Sequence, residues 1–550
     1  MSFSLTRHKS VAVVALAMTL LVTLSACGSK PAASQQKLVR TANLSANFVI
    51  PTLDISKSRG FDQAGNMFDS LFYLNREHKV VPALATKSTV SKDGKTYTFT
   101  IRKGATFSNG DPITAQSFVY SWQRSLKPST KSLHPYIFKG IKNAMAVNAG
   151  KLPVSKLGVK ATDSHTFVVT LDHPIAYFNK LMTYQAFSPQ DKKIVDKYGK
   201  DYGTTPDKVV FSGPYNMTKW KPQGTTWTFV KNNKYWDKDK VKMHKINMFY
   251  EVDPQTSLNL YQAKKLDFTI LTSDQFKNFK HSHQLYTGPY SYMNYLIYNQ
   301  GIKNTELNKA FNNVNIRKAI SLTIDRKQIV NDLLNGSGLE PTGVVTRYLG
   351  YNAKNQDFAK LQAGGDSVRY DTTLAKSYWK KGLSQLHMKS LTFSLMTSTG
   401  DTSSKLAELI KANAEKQLPG LTIKLQNVPD QIAYQRSTEG QFEAYLGGRG
   451  ADIADPIEFL EPMLSTNPQN YGAWKNKTYD KLINDSTTDN LSATDRWQKL
   501  LKAEKLLSDD QALTPLYQNY NYYLKRSNLH GITHNTTGAQ WNYKYMYMTK

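Results

Sequence analysis

The sequence is poor in cysteine, with Cys27 the only one among 550 residues. A single thiol excludes an internal disulfide, an iron–sulfur cluster and a cysteine-rich zinc site. Acidic residues are also scarce, because 42 Asp and Glu stand against 71 Lys and Arg and leave a net charge of +29. This excess suggests nucleic acid, an anionic membrane or a polyanionic cell wall as partners, and charge alone does not choose among them.

The motifs of the common enzyme classes are absent too. The chain has no Gly-x-Ser-x-Gly elbow, Walker A loop, His-Glu-x-x-His or Gly-x-Gly-x-x-Gly fingerprint. The close pair His281 and His283 has no acid or cysteine beside it and is better explained as an exposed loop than as a metal site. Glu458 and Glu461, near Asp455, are explained as acids at a helix N-terminus. We predict no catalytic residue, no metal and no cofactor.

Residues 1–26 have the pattern of a secretory signal peptide. Two basic residues precede an apolar run from Val11 to Leu24, and 14 residues are too few to span a membrane, which needs about 20. The end of the run, Leu24-Ser25-Ala26-Cys27, resembles the lipobox of bacterial lipoproteins. The resemblance implies that the sulfur of Cys27 carries diacylglycerol and that residues 27–38 form the lipidated cysteine and a flexible tether. Export, which leaves a net charge of +27, excludes a nuclear or cytosolic role with nucleic acid.

The remaining composition is that of a folded protein. Apolar residues make up 40% and aromatic residues 11%, and the length predicts two to four domains. Thr96 to Ile101 alternates as a strand, and Thr114 is placed to cap a helix that buries Phe118 and Trp122. The tyrosines of 517–523 and 543–547 are interpreted as strands with one buried face rather than as a surface that stacks on bases.

A βαβ pattern occupies residues 391–446. Its predicted elements, in order, are a strand at Leu391–Leu395, a helix at Thr402–Gln417, a strand at Leu421–Leu425, a helix at Gln431–Arg436 and a strand at Phe442–Leu446. Such a pattern predicts an open α/β sheet with a largely parallel core, in which ligands bind beyond the carboxyl ends of the strands. A glycine run placed there would deliver Arg449 and Asp452 to a crevice. An ordinary glycine-rich turn with solvated charges is the alternative.

Several motifs then point to one family. Their order and spacing resemble the oligopeptide-binding proteins of ABC importers, which are extracellular solute-binding proteins of family 5, and the resemblance runs from Cys27 to about the C-terminus. The motifs are Asp93-Gly94-Lys95 through Gly104, Phe107-Ser108-Asn109-Gly110-Asp111-Pro112, Tyr120-Ser121-Trp122, Ser212-Gly213-Pro214-Tyr215, Asn232-Asn233-Lys234-Tyr235-Trp236, Ile316-Arg317-Lys318-Ala319, Ala451-Asp452 and Asp455-Pro456.

The resemblance implies an α/β fold of the periplasmic-binding-protein type, with two lobes, a hinge and an extra domain built on the first lobe. The ligand is expected in the cleft between the lobes. On the family's pattern the first lobe comprises residues 39–60, 205–286 and 513–550, the extra domain comprises 61–204, and the second lobe comprises 287–512.

The resemblance also suggests site residues. Asp452 is expected to pair with the α-ammonium of a peptide, and the backbone of Gly448, Arg449 and Gly450, followed by Ala451, is expected to pair with the peptide main chain. Three positions depart from the family, and one of them is Ile453, which stands where tyrosine is common. Arg449 stands where an aromatic residue is common, which predicts a pocket that prefers acidic or otherwise different side chains. Asp69 stands where glutamate is common, and it too is expected to affect the charge of the pocket.

These points predict a monomeric, lipid-anchored protein on the extracellular face of a bacterial cell, Gram-positive by our interpretation, that delivers oligopeptides to an ABC permease without catalysis. Three alternatives stay open. The same fold could bind a signalling peptide, a dipeptide or a metal chelate, the basic surface could serve an adhesin, or the protein could be an exported hydrolase.

Overall fold

The computed structural model describes residues 38–550 apart from 59–61, 76, 78, 252, 363 and 489–490. The predicted signal peptide, the predicted lipidation site Cys27 and the tether up to residue 37 lie outside the described residues. Within the described ranges, no helix is both long enough and apolar enough to cross a bilayer.

The chain contains both strands and helices, which alternate over residues 391–450. The strands are β1 (Leu38–Val39), β2 (Thr41–Ser45), β3 (Phe72–Leu74), β4 (Val80–Pro82), β5 (Ala85–Val90), β6 (Thr96–Ile101), β7 (Val159–Asp163), β8 (Thr166–Thr170), β9 (Tyr215–Thr218), β10 (Thr226–Lys231), β11 (Lys245–Phe249), β12 (Phe268–Leu271), β13 (Leu285–Tyr298), β14 (Gly338–Leu339), β15 (Leu391–Ser398), β16 (Leu421–Val428), β17 (Ala444–Gly450), β18 (Thr514–Lys525), β19 (Leu529–His530), β20 (Thr533–His534), β21 (Trp541–Asn542) and β22 (Tyr547–Thr549). The α-helices are α1 (Ala115–Leu126), α2 (Ala144–Asn148), α3 (Phe178–Leu181), α4 (Lys192–Tyr198), α5 (Pro254–Gln262), α6 (Ser273–Phe279), α7 (Thr305–Asn312), α8 (Val314–Leu322), α9 (Arg326–Gln328), α10 (Phe358–Leu361), α11 (Thr372–Leu386), α12 (Asp401–Gln417), α13 (Asp430–Thr438), α14 (Ile457–Leu460), α15 (Lys477–Thr488) and α16 (Ala493–Asp509).

An 11-stranded sheet runs through the molecule. Its order is β16-β15-β17-β13-β18-β12-β2-β11-β10-β9, with β14 attached to β18. β15 pairs in parallel with both β16 and β17, which confirms the βαβ pattern of residues 391–446. The buried residues of α12, among them Leu406 and Ile410, share one hydrophobic core with those of β15 and β16.

β13 and β18 lie at the middle of this sheet. The first part of β13, Leu285–Pro289, pairs only with β18, and the later part, Tyr292–Tyr298, also pairs with β17. The register between β13 and β18 shifts between Pro289 and Met293, so the ladder is interrupted there. A shift of this kind lets a strand bend without losing the pairing on either side.

A second sheet of four antiparallel strands, β5-β6-β8-β7, is covered by α1. Apolar alternation along β6 buries Phe99, while Phe118 and Trp122 of α1 lie against Phe167 with ring centroids 5.5 and 5.0 Å apart. The helix begins directly after Thr114, whose backbone N–H donates to the Oγ of Ser117. The predicted cap and helix are confirmed.

The tyrosine-rich C-terminal segments are only partly extended. β18 confirms the predicted strand over 517–523. Over 543–547 only Tyr547 lies in a strand, because the N–H of Tyr543 donates to the side chain of Asn66 at 2.8 Å and the backbone leaves the ladder there. The loop with His281 and His283 lies between α6 and β13 and exposes both histidines, as expected.

Candidate functional site

The glycine run lies inside β17 rather than beyond the end of the strand. β17 pairs with β13 from Ala444 to Gly450, whereas β15 pairs with it only at Ala444 and Tyr445. In the part of the chain that the structure describes, no strand pairs with the other edge of β17 from Leu446 onward. The expectation that the run lies beyond the strand was therefore wrong, because pairing with β13 extends the strand, and the result is an open edge of backbone.

Two of the glycines are required by neighbouring rings. A Cβ on Gly447 would lie 2.4 Å from Cε1 of Tyr445, and a Cβ on Gly448 would lie 2.2 Å from Cε1 of Tyr292. Contacts this short do not occur, so a side chain at either position would force the tyrosine ring to shift. At Gly450 the corresponding distance to Tyr292 is 3.3 Å, which is tight but close to an ordinary contact.

Asp452 follows the strand and is held from three sides. The hydroxyl of Tyr136 donates to its Oδ2 at 2.8 Å, and the hydroxyl of Tyr184 lies 3.3 Å from its Oδ1. The N–H of Asp452 donates to Oε2 of Glu458 at 2.9 Å, and the N–H of Ala451 donates to the carbonyl of Ser291. The carboxylate is thus oriented by groups that lie up to 316 positions away in sequence.

Arg449 and Glu458 are linked to each other next to Asp452. The Nε of Arg449 donates to the main-chain oxygen of Glu458 at 2.8 Å. Burial and the nearby charge of Asp452 raise the pKa of Glu458 to about 8, although Arg449 opposes the rise. At neutral pH, Glu458 is therefore mostly protonated.

Asp452 borders two cavities. The larger, about 270 Å³, is also lined by Arg449, by the backbone of Gly448 and Gly450, and by Tyr136. The smaller, about 30 Å³, lies between Asp452 and Asp69. A carboxylate at the junction of a cavity and an open strand edge is suited to binding a cationic group attached to an extended chain.

The carboxylate of Asp69 is already engaged. Its Oδ2 accepts hydrogen bonds from the hydroxyl of Tyr235 and from Nε1 of Trp236, each at 2.8 Å. Burial raises the pKa of Asp69, and the charge of Lys544 acts in the opposite direction. Asp69 borders the small cavity, and its contact with a ligand stays a prediction.

Asp455 and Glu458 lie at the N-terminus of α14, as predicted, because Oδ1 of Asp455 accepts from the N–H of Ile457 and Glu458 is in the first turn. All three acids also have individual partners. Asp455 is buried against Arg496, Glu461 lies 2.7 Å from Nζ of Lys139, and Glu458 accepts from Asp452. The helix that follows, α14, has only four residues, which is too short to supply much of a dipole.

Several side chains of the site have no signal in the sequence. Tyr136 and Tyr184 reach Asp452 from the segment that carries the four-stranded sheet, and Nζ of Lys180 from the same segment contacts the carbonyl of Ala454 at 2.9 Å and Asp455 at 3.3 Å. Only tertiary contact reveals them. Across the described ranges, no group of three or more His, Cys, Asp or Glu residues is arranged to hold a metal.

Comparison with known proteins assigns the chain to a family. The model of the bacterial extracellular solute-binding proteins, family 5 (middle region), matches residues 79–471. The chain belongs to this family. It is 32% identical over 547 residues to the dipeptide-binding protein of Lactococcus lactis subsp. cremoris, covering 98% of both chains, and 32% identical over 482 residues to the oligopeptide-binding protein OppA of Bacillus subtilis, covering 86% and 85%.

Solved structures of the family match the fold as well. Listeria monocytogenes OppA bound to peptide has a TM-score of 0.75 at 33% identity, with 93% of this chain and 99% of that chain covered. The pheromone receptor PrgZ has a TM-score of 0.76 at 32% identity, with 93% and 100% covered. The protein thus has the α/β, two-lobed fold of these solute-binding proteins, with a ligand cleft, and its relatives are solute-binding proteins rather than enzymes. Members of the family are extracellular or periplasmic.

Proposed function

We propose that the protein captures oligopeptides outside the cell and delivers them to the permease of an ABC importer. The observation that carries the proposal is the position of Asp452, next to the open edge of β17 and at the wall of a cavity of about 270 Å³. The family relationship supports the same ligand class, since relatives along nearly the whole chain are named as dipeptide- and oligopeptide-binding proteins.

The open edge of β17 would supply main-chain recognition. A peptide that adds as a strand beside Leu446–Gly450 forms hydrogen bonds that do not depend on its sequence. Its side chains would enter the adjoining cavity, which is lined by tyrosine, methionine and glutamine side chains and has room for water as well. This arrangement favours binding of many peptides rather than of one.

Asp452 would bind the α-ammonium of the peptide. An ammonium that leaves water needs an anion to offset its lost hydration, and this carboxylate is already oriented by Tyr136 and Tyr184. The hydroxyls donate to the carboxylate and leave it negatively charged, so it can still accept from a bound cation.

Ligand capture would close the two lobes about a hinge in β13 and β18. The register shift between Pro289 and Met293 is the place where the central strands can bend. The division into a first lobe (39–60, 205–286 and 513–550), an extra domain (61–204) and a second lobe (287–512) is part of this proposal. The closed form would be the shape that the permease recognises.

The anchor completes the proposal. Diacylglycerol on Cys27 would hold a monomeric protein at the outer face of a Gram-positive cell membrane, with the segment up to residue 37 as a tether. Replacing Cys27 with Ser should move the protein from the membrane fraction to the medium. Retention of the Ser variant in membranes would contradict the anchor without affecting the ligand proposal.

Calorimetry tests the ligand. The chain from residue 28 onward is titrated with peptides of 4 to 12 residues, free or N-acetylated, and compared with Asp452→Asn. We expect either acetylation or the substitution to weaken binding about 30-fold or more, because a buried charge loses its partner. The two changes together should weaken binding little more than either change alone, because both remove the same ion pair.

Asp401→Asn is the matched control, because Asp401 is an exposed acid at the start of α12. Equal binding of free and acetylated peptides would show that Asp452 has another role. If no peptide binds, the peptide proposal is wrong. In that case, binding to anionic wall polymer that falls steeply with salt would favour an adhesin.

A further inference from the structure

Arg449 has no acidic partner within the described ranges, although it lies at the wall of the larger cavity. Its Nε is held by the carbonyl of Glu458, and no carboxylate oxygen among the described residues lies within 4.0 Å of its guanidinium. The bond at Nε fixes the orientation of the side chain and leaves the two terminal NH₂ groups as donors. A guanidinium with a fixed orientation and two remaining NH₂ donors can form a bidentate pair with a carboxylate.

The walls around Arg449 favour an anion. Burial raises the pKa of Tyr136, Tyr295 and Tyr471, and the positive charge of Arg449 opposes that rise at each of them, which places the guanidinium within electrostatic reach of all three. These phenols line the same cavity and stay neutral at physiological pH, so they add no negative charge that would repel a carboxylate; the O–H of Tyr136 is already donated to Asp452. Glu458 does not cancel the charge of Arg449, because it is mostly protonated near pH 7.

Asp452, at the wall of the same cavity, provides the opposite charge. We propose that Arg449 binds a carboxylate of the ligand, so that the site takes peptides that carry an α-ammonium and a carboxylate a short distance apart. The carboxylate belongs either to an acidic side chain within the first three residues or to the C-terminus of a dipeptide. This inference rests on the proposed peptide-binding function and adds the side-chain class that the cavity selects.

Calorimetry distinguishes the two sources. Tetra-alanine is compared with tetrapeptides that carry Glu or Gln at position 1, 2 or 3, and Ala-Ala is compared with Ala-Ala amide. We expect Glu to bind at least tenfold more tightly than Gln at one position, or the free dipeptide at least tenfold more tightly than its amide, because a charged hydrogen-bonded pair is formed. Equal affinities in every pair would overturn the inference.

Substitutions then assign the effect to Arg449. Arg449→Gln should abolish the preference for the carboxylate while tetra-alanine still binds, and Arg449→Lys should keep part of it. Arg369→Gln is the control, since Arg369 is exposed, paired with Asp366 and Asp371, and does not line the cavity. A preference that survives in Arg449→Gln would assign the carboxylate to another group and refute the proposal.

The outcomes separate this inference from the proposed function. If none of these peptides binds the unaltered protein, the peptide-binding function is wrong. If tetra-alanine binds through its ammonium but no carboxylate is preferred, only the role of Arg449 is wrong. If Arg449→Gln does not fold, the Glu and Gln comparison in the unaltered protein and in Arg449→Lys decides the question.

Discussion

Arg496 donates two hydrogen bonds to the carboxylate of Asp455, from Nη2 to Oδ1 at 2.7 Å and from Nη1 to Oδ2 at 3.1 Å. Both side chains are buried, and Nζ of Lys180 approaches the same carboxylate at 3.3 Å. The pair thus joins α16 to the segment just after Asp452, and Lys180 joins that segment to the region of the four-stranded sheet. The position of the candidate site depends on this buried junction.

Asp455→Asn should lower the free energy of unfolding by about 3 kcal/mol, because it leaves a buried guanidinium without its counter-charge. Urea denaturation at pH 7 measures the change. Asp485→Asn is the control, since Asp485 pairs with Lys481 and Lys499 near the surface and should cost about 1 kcal/mol or less. Equal losses in the two variants would contradict the importance of the buried pair.

The same pair predicts that the stability of the protein falls at acid pH. Burial acts to raise the pKa of Asp455, but the charges of Arg496 and Lys180 outweigh it and lower the pKa from 3.8 to about 2. The pair's contribution is therefore complete above pH 4 and is lost as the pH falls toward 2, which amounts to about 2 kcal/mol. The stability gap between the unaltered protein and Asp455→Asn should narrow over that interval; a constant gap would rule out this linkage.

Glu458→Gln should change the dependence of stability on pH between 4.5 and 8. Burial and Asp452 raise the pKa of Glu458, so the native state keeps a proton that the unfolded chain releases above pH 4.5. Ionising Glu458 therefore costs stability as the pH rises, and the stability of the Gln variant relative to the unaltered protein should increase by up to about 4 kcal/mol over this interval. The charged and titratable groups around it are Arg449, Asp452, Glu461, Tyr136, Tyr177 and Tyr184.

Chemical denaturation across that pH range measures the effect. Glu461→Gln removes an acid three residues away that is paired with Lys139, and it controls for the change in net charge. If the free energy of unfolding of both variants rises equally with pH relative to the unaltered protein, the effect is due to net charge and not to the burial of Glu458.

Gly448→Ala should destabilise the protein by about 1 to 3 kcal/mol and weaken peptide binding, because the new Cβ would overlap the ring of Tyr292. Thermal unfolding and calorimetry report the two effects. Gly450→Ala, with its wider spacing to the same ring, should cost less. The double change Gly448→Ala with Tyr292→Ala should restore part of the loss, and failure to restore any would point to a backbone requirement instead.

Tyr136→Phe should weaken binding of peptides with a free N-terminus by about fivefold, because Asp452 loses the shorter of its two hydroxyl bonds and is less firmly oriented. N-acetylated peptides should bind both forms equally. Tyr370→Phe serves as the control, since Tyr370 is exposed and does not line the cavity. An equal loss for free and acetylated peptides would mean that Tyr136 contacts the peptide elsewhere.

The sequence by itself determined the features that depend on neighbours along the chain. The cap at Thr114, the helix after it and the βαβ order of 391–446 follow from periodicity and local hydrogen bonding, and the family follows from ordered motifs. Tertiary structure decided the rest. Pairing with β13 turned the glycine run into a strand with an open edge, and Tyr136, Lys180 and Arg496 reached the site from distant segments. Such contacts depend on which elements pack together in the folded chain. A local sequence pattern does not specify which distant segment will contact it.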